Sequence, residues 1–135
     1  MHLNDKLNYR TPKEKNYFGS DLNKFLNVEC TKLMTVNNID VLQFKRSKNI
    51  LRIIESKHDS ENMPDSQFEV LDKLAKIFSY VNEVNSDKFP KLEIYIVCGN
   101  PPYEKVEVID MITKETKVIY DKEIFKRFCN FNGEI

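Results

Sequence analysis

Cysteine is sparse and scattered. Cys30, Cys98 and Cys129 are odd in number, far apart and without a Cys-x-x-Cys spacing. That pattern weighs against an iron–sulfur cluster, which needs four gathered ligands, and predicts free buried thiols of an intracellular protein. Long apolar runs are missing too: none approaches roughly 18 residues, and the opening M-H-L-N-D-K-L-N-Y-R has no apolar stretch of signal-peptide type. A soluble, cytoplasmic protein is expected. A surplus of either charge is also absent, because 21 Lys and Arg balance 21 Asp and Glu. No global field then draws the chain onto nucleic acid, and any polyanion contact must be local.

What is present is compact. With 135 residues the chain has room for one core, and the reading is a flexible arm over 1–17 followed by a single domain over 18–135. Ser20 can cap a short helix with Leu22, Phe25 and Leu26 at helical spacing. Residues 30–36 turn strand-like, and Asn37-Asn38 suits a tight turn. Two further strands flank the basic turn Lys45 to Asn49. After a polar loop, Ser66 and Glu69 form a capping box for a helix carrying Phe68, Leu71, Leu74, Ala75, Phe78 and Val81, ending near Val84. L-E-I-Y-I-V-C follows as a central strand buried on both faces. A hairpin around T-K-E-T comes next, and then a helix that Asp121 can cap, with Ile124, Phe125, Phe128 and Phe131. The order is αβββαβ with an appended ββα, an α/β protein.

The chemistry concentrates between Ile39 and His58. A turn centred between Ser47 and Lys48 places Asp40 opposite Glu55, and directly opposed side chains sit roughly 5 Å apart. Alternation along the second strand puts Glu55 and Lys57 on one face with Leu51 and Ile53, while Arg52, Ile54 and Ser56 point the other way. Two acids and an amine in one patch suit a hard divalent cation such as Mg²⁺, with the ammonium near a water or phosphate. The competing reading is a plain cross-strand ion pair: Asp40 with Lys57 in a slipped register, and Glu55 with Arg52 or water.

At these residues the chain resembles the PD-(D/E)xK nuclease superfamily. Asp40 stands at the first acid, and Glu55, Ser56 and Lys57 stand at the (D/E)xK, after a gap of fourteen residues. Ile39 replaces the family's Pro. The resemblance implies a restriction-endonuclease-like fold, with the αβββαβ core on a mixed sheet. It also implies that Asp40 and Glu55 hold Mg²⁺ or Mn²⁺, that the Ser56 carbonyl completes the shell, and that Lys57 assists the attacking water.

The activity implied is phosphodiester hydrolysis in nucleic acid, with DNA ahead of RNA and endonuclease ahead of exonuclease. Two copies would act together on a duplex. F-G-S-D-L-N-K-F-L resembles the first helix of junction resolvases and phage endonucleases, but Asn23 stands where they carry Glu, leaving Asp21 and Glu29 as accessory candidates. Exonuclease members carry Gln-x-x-x-Tyr on the next helix, and this chain has Gln67 with Leu71. His58 is a further accessory candidate. Lys45, Arg46 and Lys48 are the first choice for phosphate contact, ahead of Lys13 with Lys15 and of Lys122, Lys126 and Arg127. The alternative from another class is a binding or assembly module that keeps the fold without hydrolysis.

Overall fold

The computed structural model describes residues 21–30, 39–58, 65–84 and 87–133. The chain divides into two compact units, Met1–Asn38 and Ile39–Ile135. The expected arm, the Ser20 cap and the Asn37-Asn38 turn lie outside the described residues, as does the strand expected over 30–36 apart from Cys30, which is a bend whose N–H donates to the Leu26 carbonyl at 3.1 Å. In the first unit, helix α1 spans Asp21–Glu29, with Leu22, Phe25 and Leu26 three and four positions apart as expected.

The second unit holds a five-stranded mixed sheet and two helices: β1 (Val41–Lys45), β2 (Ile50–Lys57), α2 (Asp65–Val84), β3 (Lys91–Cys98), β4 (Val106–Asp110), β5 (Thr116–Ile119) and α3 (Lys122–Cys129). The strands lie in sequence order across the sheet. Neighbours are antiparallel except β2 and β3, which are parallel. A parallel pair requires a crossover, and the 20 residues of α2 provide a rod about 30 Å long.

Each face of the sheet carries its own helix. Leu71, Ala75 and Phe78 of α2 bury against Ile53, Ile94, Ile96 and Met111. On the opposite face Phe128 of α3 buries with Ile54, Val97, Val106, Val108 and Ile119. Neighbouring residues of one strand, Ile53 and Ile54 or Ile96 and Val97, therefore serve different cores, which is why β3 reads as an unbroken apolar run. The fold is thus α/β, with helices on both faces of the sheet. Among the described residues no helix is long and apolar enough to cross a membrane.

Two details depart from the sequence reading. Helix α2 already begins at Asp65, so Ser66 lies inside the first turn and not at its cap; the Asp65 carboxylate sits where the positive end of the helix favours it. The three cysteines are free as expected, but half-buried and not enclosed. Burial pushes the Cys129 thiol up, against the pull of Arg52.

The start of α3 is as expected: Asp121 is its N-cap and accepts from the Glu123 N–H at 2.8 Å. Its other end is tied to the β1–β2 hairpin. Gln43 Nε2 donates to the Cys129 carbonyl at 3.1 Å, Arg52 Nη1 to the Phe128 carbonyl at 2.8 Å, and the Lys48 ammonium to the Phe131 carbonyl. These donors converge on the carbonyl end of the helix and the turn after it, where the Phe128 carbonyl also accepts from the Phe131 N–H at 3.1 Å, and the two cations oppose the negative pole of the helix. Arg52 is only 5 % exposed. It also binds Glu93 at 2.9 Å and lies over the rings of Phe128 and Phe131, 4.3 and 3.7 Å from their centroids. Phe131 itself takes a left-handed φ of 60°, a strained choice for an aromatic residue, held by its burial and by the guanidinium.

Arg52→Ala should cost about 2–3 kcal/mol, because its charged hydrogen bonds to Glu93 and to the Phe128 carbonyl are lost together, and only Lys91 remains beside Glu93, at 3.7 Å. Asp121→Ala should cost about 1 kcal/mol through the lost cap. Urea unfolding followed by circular dichroism checks both, and equal losses would contradict the ranking.

Candidate active site

The geometry of the site begins with register. Val41 pairs with Ile54 and each earlier step follows in turn, down to Lys45 with Ile50. One further step sets Asp40 opposite Glu55, the pairing expected from the turn position. Asp40 lies just beyond the end of β1, where its Oδ2 accepts the Ser56 backbone N–H at 2.9 Å. That bond replaces the next rung of the ladder and fixes the carboxylate at the open end of the hairpin. In an extended residue the N–H and C=O point to the same edge of the strand, so the Ser56 carbonyl is directed toward the Asp40 side.

Glu55 and Lys57 share the α2 face, as alternation requires. Glu55 is 7 % exposed. Lys57 Nζ is 3.6 Å from Glu55 Oε1 and donates to Gln67 Oε1 at 2.9 Å. Gln67 lies in the first turn of α2, so the crossover helix holds the ammonium in place beside the acid. The slipped register of the competing reading does not occur: Asp40 bonds to Ser56, and Arg52 turns to the other face to meet Glu93.

The electrostatics follow from this packing. Burial, and then the neighbouring Asp40 carboxylate, push the Glu55 carboxyl above its ordinary 4.5, while Lys57 pulls it down by less. A buried acid beside a second acid, with one ammonium in reach, lacks positive charge. Two carboxylates and a carbonyl form an oxygen donor set of the kind Mg²⁺ accepts, water supplying the remaining positions. Among the described residues no cluster of three or more His, Cys, Asp or Glu gathers to form a larger metal cage.

The remaining candidates fall elsewhere. His58 follows Lys57 at the carboxyl end of β2, and its Nδ1 meets the Asn100 side-chain oxygen just beyond the end of β3. The Gly99 N–H donates to the Lys57 carbonyl at 3.0 Å, so the two parallel strands end level. Asn100 was not among the sequence candidates; its signal was its place after an apolar strand in the turn-forming G-N-P-P. Asp21 and Glu29 open and close α1 in the other unit. Lys45, Arg46 and Lys48 lie at the opposite end of the hairpin, about 17 Å from Asp40 along five residues of strand. A cleft of about 260 Å³ lined by Arg52, Glu93, Tyr95, Asp110 and Lys117 opens on the α3 face, away from Glu55.

The raised Glu55 value fixes the sign of a pH effect. Between 4.5 and its folded value the native state binds more protons than the unfolded chain, so stability falls as pH rises through that window. Glu55→Gln removes the loss. In EDTA at pH 7 the variant should melt above the parent, with the gap closing toward pH 4. A lower melting point at pH 7 would show that the carboxylate is adequately compensated. Comparison with known proteins returns no matching family model, no matching curated protein and no matching solved structure.

Proposed function

We propose that the chain is a metal-dependent nuclease of the PD-(D/E)xK type, built on a restriction-endonuclease-like fold and hydrolysing phosphodiester bonds, with DNA the first substrate to test. The observation that carries this reading is the pairing of Asp40 with a buried Glu55 whose carboxyl is pushed up, with Lys57 held beside it by Gln67. A structural ion pair has no use for a second acid at that point. The hairpin, crossover helix and parallel strand occur in the order that the resemblance implies.

The residues present fit a divalent cation: Asp40 and Glu55 as carboxylate ligands, with the Ser56 carbonyl at the same edge. A bound Mg²⁺ or Mn²⁺ would supply an acidified water and neutralise charge at the phosphate. Asp40 is oriented by the Ser56 N–H, which engages one of its oxygens and leaves the other for the ion. Glu55 is kept close to Lys57, and Lys57 is placed to receive or donate a proton at the attacking water and to offset charge building on the phosphate oxygens. Gln67 orients that ammonium as a positioning residue. Burial of Glu55 beneath α2 excludes bulk water from one side of the pair, which strengthens each of these interactions.

The test is cleavage of labelled single-stranded, duplex and four-way-junction DNA and of RNA, in Mn²⁺ and in EDTA. Metal-dependent cutting is expected, reduced about 100-fold or more in Asp40→Asn, Glu55→Gln and Lys57→Ala. Mn²⁺ should also raise the melting temperature of the parent and leave Asp40→Asn unmoved, through binding to the native state alone. Folded protein that cuts nothing and shows no Mn²⁺ shift would favour a non-catalytic binding module.

A further inference from the structure

The turn end of the sheet collects cations that are far apart in sequence. Lys45 and Arg46 close β1 and enter the turn. The bond from the Lys48 ammonium to the Phe131 carbonyl brings the last turn of α3 to the same end, and that turn carries Lys126 and Arg127. The Lys91 N–H donates to the Asn49 carbonyl at 2.9 Å, which adds Lys91 from the start of β3. The acids around this end are few: Glu93 lies between Arg52 at 2.9 Å and Lys91 at 3.7 Å, Asp87 lies in the turn before β3, Glu83 lies near the end of α2, and Glu123 sits in the first turn of α3, at the other end of that helix.

Pairing separates this end from the α2 side, although Lys91 here lies 3.7 Å from Glu93. On the α2 side, Lys73 lies against Glu69, and Lys76 and Lys114 lie against Asp72. Lys45, Arg46, Lys126 and Arg127 have no carboxylate partner among the described residues. In a chain of zero net charge, uncompensated cations converging on one end produce a local positive field. Exposed phenyl rings accompany it: Phe44 precedes Lys45 and is 52 % exposed, and Phe89, two residues before Lys91, is 53 % exposed.

We infer that the turn end of the sheet is a docking surface for the phosphodiester backbone of nucleic acid. The guanidinium forks of Arg46 and Arg127 suit phosphate oxygens in pairs. The rings offer unpaired bases a stacking surface, so a single strand is the preferred form. The surface lies about 17 Å along β1 from Asp40, the length of about five stacked nucleotides. It therefore anchors a strand well away from the acids. The choice of nucleic acid over other polyanions rests on the nuclease reading.

The test is fluorescence anisotropy of labelled single-stranded and duplex oligonucleotides in EDTA, at several salt concentrations. The protein carries Lys45→Gln, Arg46→Gln, Lys126→Gln and Arg127→Gln together. Affinity for the single strand should fall about tenfold or more at low salt, and the salt slope should shrink by up to about 3, roughly 0.7 for each phosphate no longer neutralised. A control neutralising Lys73, Lys76, Lys105 and Lys114 removes the same charge elsewhere and should bind like the parent. Arg46→Gln with Arg127→Gln, both exposed, gives a milder second variant with a smaller loss. An unchanged affinity, or an equal loss in the control, overturns the assignment; so does displacement by polyglutamate at matched charge, in favour of an acidic protein. Binding in EDTA needs no metal centre, so binding without cleavage keeps this surface and removes the nuclease reading.

Discussion

Strand β2 is paired on both sides, antiparallel to β1 and parallel to β3, and slipping either ladder by one residue would exchange its two faces. The apolar residues on it hold that register. Ile53 belongs to the core under α2 and Ile54 to the core under α3, so a slip would unpack both at once. The polar residues are carried along by the same alternation. Arg52 goes with Ile54 to the α3 face, and Glu55 and Lys57 go with Ile53 to the α2 face. The candidate site is in this sense a consequence of hydrophobic packing, positioned by residues that take no part in its chemistry.

The two faces treat buried charge in opposite ways. On the α3 side, Arg52 meets the Glu93 carboxylate, a helix-end carbonyl and aromatic rings, so its removal from water is compensated and the hairpin is joined to the last helix. On the α2 side, Glu55 is buried next to another acid, and Lys57 compensates only part of the cost. Stability alone does not account for keeping that arrangement. An undercompensated carboxylate in an otherwise satisfied fold is the feature on which the proposed cation site rests.

Helix α2 has a double role. Its apolar stripe covers the sheet while its first turn delivers Gln67 to Lys57, so packing of the crossover also sets the ammonium. The parallel pairing it makes possible brings the carboxyl ends of β2 and β3 level, with His58 against Asn100. The amino ends are level too, which gathers the cations of the turn with those of α3 and β3. One topology thus separates an acidic end from a basic end in a chain whose charges sum to zero.

Much of this was legible from local pattern. The period of α2, the continuous apolar run of β3, the hairpin around T-K-E-T and the Asp121 cap are short-range signals, and each sits where the pattern put it. The Asp40–Glu55 pairing was also readable, because a hairpin register is set by its turn. What the sequence could not supply depends on contacts between distant segments. Arg52 with Glu93, Gln67 with Lys57, and the turn cations with the end of α3 join residues with no common periodicity. They meet only when two cores close on opposite faces of one sheet. The sequence by itself determined which elements form and which side chains share a strand face, because backbone periodicity is local. Tertiary structure alone decided which charges are buried together and which are left unpaired, because desolvation depends on what packs above each face.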